Sequence, residues 1–192
     1  MMTFEEQELR KGRTYKMLLL FGMVSIFMIF AGLSSGFVVS KSRPDWLNDF
    51  QLPSAFLAST VAILLSSITF HLALKAQKAD NRKLTSTMLL VTLLLGLSFI
   101  FLQFKGFSQV VASGYFFTGS ESTITTSFLY IMVLVHIVHL VGGLISLLVV
   151  IYNHFKQKYK AAQTLGIELS VMYWHFMDII WILLFLFFYF YN

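Results

Sequence analysis

The chain has 192 residues, of which 57% are hydrophobic and only 12% charged, with 21 phenylalanines and a mean hydropathy of +0.77. A soluble domain of that composition would expose far too much apolar surface, so the sequence belongs in a bilayer. The net charge of +5 does not point to nucleic acid, because the lysines and arginines sit in short segments between apolar runs, and the lack of cysteine excludes disulfides, thiolate metal sites and cysteine nucleophiles.

The opening segment MMTFEEQELRKGRTYK is mixed in charge and has no small-residue cleavage site, so it reads as retained rather than as a removable signal. Five apolar stretches follow, near residues 16–39, 53–74, 84–105, 125–152 and 168–190. Each is long enough for a hydrocarbon core, which takes about 20 residues at ~1.5 Å rise. Backbone amides in lipid must be satisfied within their own segment, so all five are expected to be helices. SRPDWLNDFQLP, KAQKADNRK, FSQVVASGYFFTGSEST and NHFKQKYKAAQTLG form the turns between them, the last placing His154 in a loop. The expected fold is an all-α integral membrane protein, a five-helix bundle forming a single transmembrane domain over residues 1–192.

Orientation follows from the basic residues. Arg10, Lys11, Arg13, Lys16, Lys75, Lys78, Arg82, Lys83, Lys156, Lys158 and Lys160 make eleven of the fourteen on one side, against Lys41, Arg43 and Lys105 on the other. The positive-inside rule then predicts a cytoplasmic N-terminus and, with five spans, a periplasmic C-terminus.

Few polar groups interrupt the spans. His71 lies on the second, His136 and His139 on the fourth as HIVH, and Glu168, His175 and Asp178 on the fifth. A charge at mid-bilayer costs ~2.5–3.5 kcal/mol on insertion scales, so Asp178 demands a partner or a function. Spacing of three and four residues gives shared faces: His136, His139 and Gly143 form one stripe, and Trp174, His175, Asp178 and Trp181 another. Counting rise from the helix ends puts His139 at ~20 Å and Asp178 at ~15 Å, so a contact of Asp178 with His139 or His136 is expected. Three uses of these groups stand side by side. Imidazoles suit haem or copper, although five histidines are too few for two haems and a copper. Glu168, His175 and Asp178 would also make a short proton ladder. The plainest use is hydrogen-bonded packing between helices. On the first span, Gly32, Ser35 and Gly36 offer a small-residue face for close helix approach.

YWHFMDIIWILLF, with Glu168 seven positions before His175, resembles the W-H-F-x-D-x-x-W signature of subunit III of the haem-copper oxidases. HIVHLVGG resembles that family's H-x-x-H-x-x-x-G helix, and ITFHLAL, NRK and FLQ are similar to its second helix, following turn and next helix end. The resemblance covers about residues 20–190, and five spans suit the short bacterial form. Two positions depart from it: Ser25-Ile26 stands where the family commonly has Ser-Glu, and Gln103-Phe104-Lys105-Gly106 where it has Q-x-x-E.

The resemblance implies a non-catalytic subunit of a respiratory terminal oxidase in the bacterial inner membrane, within a complex that reduces oxygen to water and pumps protons. It implies no catalytic, cofactor-binding or metal-ligating residue here, with haem and copper held by partner subunits I and II. His71, His136, His139, Glu168, His175 and Asp178 are then structural polar positions. Subunit I would be the main partner, beside other oxidase subunits and membrane phospholipids. Within the family, a quinol oxidase or the accessory subunit of a nitric oxide reductase remains open. A small membrane transporter is the reading from another class, although internal symmetry and paired broken helices are not evident.

Overall fold

The computed structural model describes residues 4–47, 52–119, 122–159 and 164–191. It is all-helical: α1 (Phe4–Val39), α2 (Ser54–Lys78), α3 (Arg82–Ala112), α4 (Ile124–Phe155) and α5 (Leu165–Phe190), with a 3-10 turn at Ser40–Ser42. All five helices are long and apolar enough to cross a membrane. Among the described residues the β-type pairing is one isolated bridge, Phe116 with Ser122.

The helices overrun the apolar stretches because nothing in the flanking sequence stops them. α1 begins at Phe4 rather than near residue 16 because EEQELRKGRTYK consists largely of strong helix formers. His154, expected in a loop, lies instead in the last turn of α4, which runs on to Phe155. Lys160 falls outside the described residues.

The stops are local and specific. After α2, Asp80 adopts a left-handed conformation (φ 55°), and the amides of Asp80 and Asn81 return to the carbonyls of Gln77 and Ala76. Gly114 (φ 85°) and Gln157 (φ 57°) close α3 and α4 with the same paired bonds. This is the Schellman arrangement, which satisfies carbonyls the helix leaves orphaned. The Asn81 side chain then caps α3 by accepting from the Leu84 amide at 3.2 Å, and a reciprocal capping box of Thr123 and Thr126 starts α4.

α5 is the hub. It packs against α2, α4 and α1, while α3 fills the space between α2 and α4. In its most apolar window 44% of α5 is buried, against 11% for α1, so α5 is central and α1 peripheral. Two glycines on α3 make the close packing possible. A Cβ on Gly96 would lie 2.9 Å from the Trp174 ring, and one on Gly106 would lie 2.9 Å from the Phe56 ring. The small-residue face of α1 is used within this chain at one end only: a Cβ at Gly36 would stand 3.3 Å from Phe128, whereas Gly32 has open space.

Candidate functional site

The polar groups in the membrane region converge on α5. Its signature stripe faces a row of hydroxyls on α2, where the Trp174 indole N–H donates to Ser66 Oγ at 3.0 Å and Trp181 donates to Thr60 Oγ1 at 2.9 Å. An indole has one donor and no acceptor, so burial requires just such a partner. The row continues sideways to α3: Gln103 Nε2 donates to Ser59 Oγ at 2.9 Å, and the Thr69 and Thr92 hydroxyls meet at 2.8 Å. On its other side α5 meets α4, where Tyr173 donates its hydroxyl to the His139 carbonyl at 3.0 Å and Ser146 bonds Ser170 at 2.6 Å.

Glu168 stands at the start of α5 and gathers three helices. Its two oxygens take Lys16 Nζ of α1 at 2.7 Å and Lys78 Nζ of α2 at 2.8 Å, and Thr164 Oγ1 donates to it at 3.0 Å. A carboxylate in the first helical turn also complements the positive end of the helix dipole. At the same end His154 Nδ1 is 3.0 Å from Gln77 Oε1 and its Nε2 is 2.9 Å from Ser86 Oγ, which ties α4 to α2 and α3. Since Gln77 Oε1 only accepts, Nδ1 carries the proton of that pair.

Deeper in the bundle the pattern reverses. His136 is fully buried and neither ring nitrogen has a partner; Phe30, Phe99 and Trp181 surround it at ring distances of 6.2, 5.9 and 5.3 Å. His139, on the same stripe, donates Nδ1–H to the Val135 carbonyl at 2.8 Å. Asp178 is 3% exposed, and both its oxygens lack a hydrogen-bond partner. The expected contact of Asp178 with His136 or His139 is therefore not made. Similar depth brought the groups to one level, but helix rotation aims His136 into a ring of aromatics and returns His139 to its own backbone.

The Ser67 hydroxyl of α2 pairs with His175 Nδ1, three positions before Asp178 on α5. His175 in turn lies beside His71 of α2, with ring centroids 5.9 Å apart. These two histidines, Ser67, Ile68 and Leu72 line a groove of about 280 Å³ on the outside of the bundle. Of the three groups of the expected proton ladder, Glu168 is held by two lysines, His175 lines this groove, and Asp178 is buried outside its lining.

Sequence reasoning did not single out the α2 hydroxyls or Gln77, and it used Lys16 and Lys78 for orientation without pairing them with Glu168. The indoles were the available signal for the hydroxyls, since a buried N–H implies an acceptor on the facing helix. Nothing local announces the lysine clamp, whose members are 152 and 90 positions apart in sequence.

A sequence model of cytochrome c oxidase subunit III matches residues 5–192. Among curated relatives, cytochrome c oxidase subunit 3 of Bacillus sp. (strain PS3) is 28% identical over 162 residues, covering 82% of this chain and 76% of that one. Cytochrome c oxidase subunit 3 of Drosophila yakuba is 30% identical, covering 85% of this chain but 61% of that longer one. Cytochrome bo(3) ubiquinol oxidase subunit 3 of Pseudomonas putida is 30% identical, covering 84% and 74%. With five membrane-length helices and such bacterial relatives, the chain belongs to the cytochrome c oxidase subunit III family and is a multi-pass subunit III of a haem-copper respiratory oxidase in a bacterial inner membrane.

Proposed function

We propose that this chain is the non-catalytic wall of its oxidase: it holds no redox centre, packs beside subunit I and leaves haem and copper to subunits I and II. The family match along nearly the whole chain carries the reading. The use of its membrane polar groups supports it, since the Trp174, Trp181, Tyr173 and Ser146 bonds all join one helix to another. Phospholipids cover the apolar rim, where Met28, Phe101 and Phe190 are 64%, 70% and 77% exposed. The chain lies with its N-terminus in the cytoplasm and its C-terminus in the periplasm, following the eleven-to-three distribution of basic residues. His71, His136, His139, Glu168, His175 and Asp178 serve this chain's own packing and polar interior rather than metal ligation.

Relatives with two electron donors in their names, cytochrome c oxidase and ubiquinol oxidase, are equally similar to the chain. A quinol oxidase is therefore the second reading, and the donor is chosen by another subunit. Dissociating the purified oxidase tests the proposal. Iron, copper and the Soret band should stay with the other subunits, and a stoichiometric metal that follows this chain would refute it. A cytoplasm-only reporter should be active at Lys78 or Lys158 and silent at the C-terminus; the reverse pattern would invert the orientation.

A further inference from the structure

We propose that the groove between α2 and α5 at His71 and His175 holds the head of a quinone, whose apolar tail runs along the two helices towards the Leu57 end of α2. Histidines within membrane spans face the bundle interior or mark the path of a ligand. His71 instead lies exposed on the outside of the bundle and makes no hydrogen bond among the described residues. His175 meets it from α5 with ring centroids 5.9 Å apart, and Ser67 engages the His175 Nδ1, which orients that ring and leaves Nε2 for a ligand. The two rings are close enough for both to address one oxygen atom.

Depth and charge select the class of head. His71 is seven residues from Lys78 and His175 seven from Glu168, so the groove lies ~10 Å further into the membrane than the lysine clamp. Its lining of Ser67, Ile68, His71, Leu72 and His175 contains no lysine, arginine or carboxylate, which suits a neutral head rather than a phosphate. A quinone ring is flat and apolar. Its carbonyl oxygens accept hydrogen bonds and, once reduced to hydroxyls, also donate them, and an imidazole can answer either form. A volume of about 280 Å³ is at the small end of ligand pockets, as fits one ring with its tail left outside. The path for the tail continues from each histidine. Ile68, Leu64, Val61 and Leu57 are exposed on α2 at helical spacing back from His71, and Ile179, Leu183 and Leu186 are exposed on α5 at helical spacing beyond His175. The Trp174–Ser66 and Trp181–Thr60 bonds make the two helices antiparallel, so both stripes leave the histidines in the same direction. The site binds the quinone and takes no part in electron transfer, so it goes beyond the wall reading and does not depend on which donor the oxidase uses.

Photolabelling of the assembled oxidase tests this. A decyl azidoquinone is irradiated with the complex, and the adducts are mapped by mass spectrometry. Adducts should appear on α2 and α5 beside His71 and His175, and excess decylubiquinone should suppress them while phosphatidylglycerol does not. His71→Phe and His175→Phe should each lower this labelling by about three- to tenfold, and His71→Gln, which keeps a hydrogen-bonding group, should lower it less than His71→Phe. His71 is exposed, so its variants should assemble and decide the matter even where His175→Phe does not. Adducts confined to other helices or other subunits, labelling indifferent to His71→Phe, or displacement by the phospholipid instead of the quinone would overturn the proposal. Metal content and the bound subunits are measured on the same samples, so a failure here is separable from a failure of the wall reading.

Discussion

Glu168 and Asp178 are carboxylates on one helix, ten residues or ~15 Å apart, and their surroundings are opposite. Glu168 sits where lysine heads reach the helix ends, and it collects two ammonium groups and a hydroxyl from three segments. Asp178 is 3% exposed, and neither of its oxygens makes a hydrogen bond. Position along the membrane normal decides the difference. Near the ends a charge stabilises by recruiting partners, whereas at depth a carboxyl is tolerated in its neutral form or for a purpose.

The most damaging way to break this comparison is to remove its scaffold. Trp174→Ala empties the space against Gly96, Gly143 and Phe70 and leaves Ser66 without its donor, so about 3–5 kcal/mol should be lost, read as dissociation of the subunit at lower detergent or temperature. Glu168→Gln keeps shape but removes the charge from the lysine clamp. Because Glu168 is 23% exposed and the lysines about half exposed, the loss should be about 1–2 kcal/mol and should shrink in high salt.

Asp178 sharpens the contrast from the other side. Since it satisfies no donor, Asp178→Asn and Asp178→Leu should each shift stability by under about 1.5 kcal/mol, less than the loss at Trp174, in the same detergent assay. A Leu variant that dissociates as readily as Trp174→Ala would show that the carboxyl holds a helix in place.

The smallest effect belongs to a third ion pair, in the turn after α1. Arg43 Nε donates to Asp45 Oδ1 at 2.9 Å in the turn after α1, and this contact lowers the Asp45 pKa below the ordinary aspartate range. Its contribution is present above the unfolded pKa and is lost only as pH falls through the lowered folded value. Both groups lie in solvent, so Asp45→Asn should leave the melting temperature unchanged at neutral pH.

The five spans and the buried face of α5 were legible because apolar length and three-to-four spacing follow directly from helix geometry. Which group meets Asp178 was not legible. Rise per residue gives depth but not rotation, so His136 and His139 reached the right level and turned elsewhere. The α2 hydroxyls were hidden for another reason: Ser and Thr in helices routinely bond the preceding turn, as Ser59, Thr60 and Ser66 do to Phe56, Phe56 and Ile63, and their sequence alone does not separate that habit from a contact across helices. The overlong α1 was hidden because hydropathy marks where the lipid-compatible stretch begins, not where the helix does.

Mass spectrometry of the complex that co-purifies with this chain in mild detergent tests the central claim, that the chain is a wall of an oxidase rather than a redox protein, most directly. A many-spanned, histidine-rich haem subunit should be bound to it in a fixed ratio, and oxygen reduction should stay with that subunit after this chain is stripped away. Recovery of the chain alone, or as a homo-oligomer carrying its own haem or copper, would contradict it.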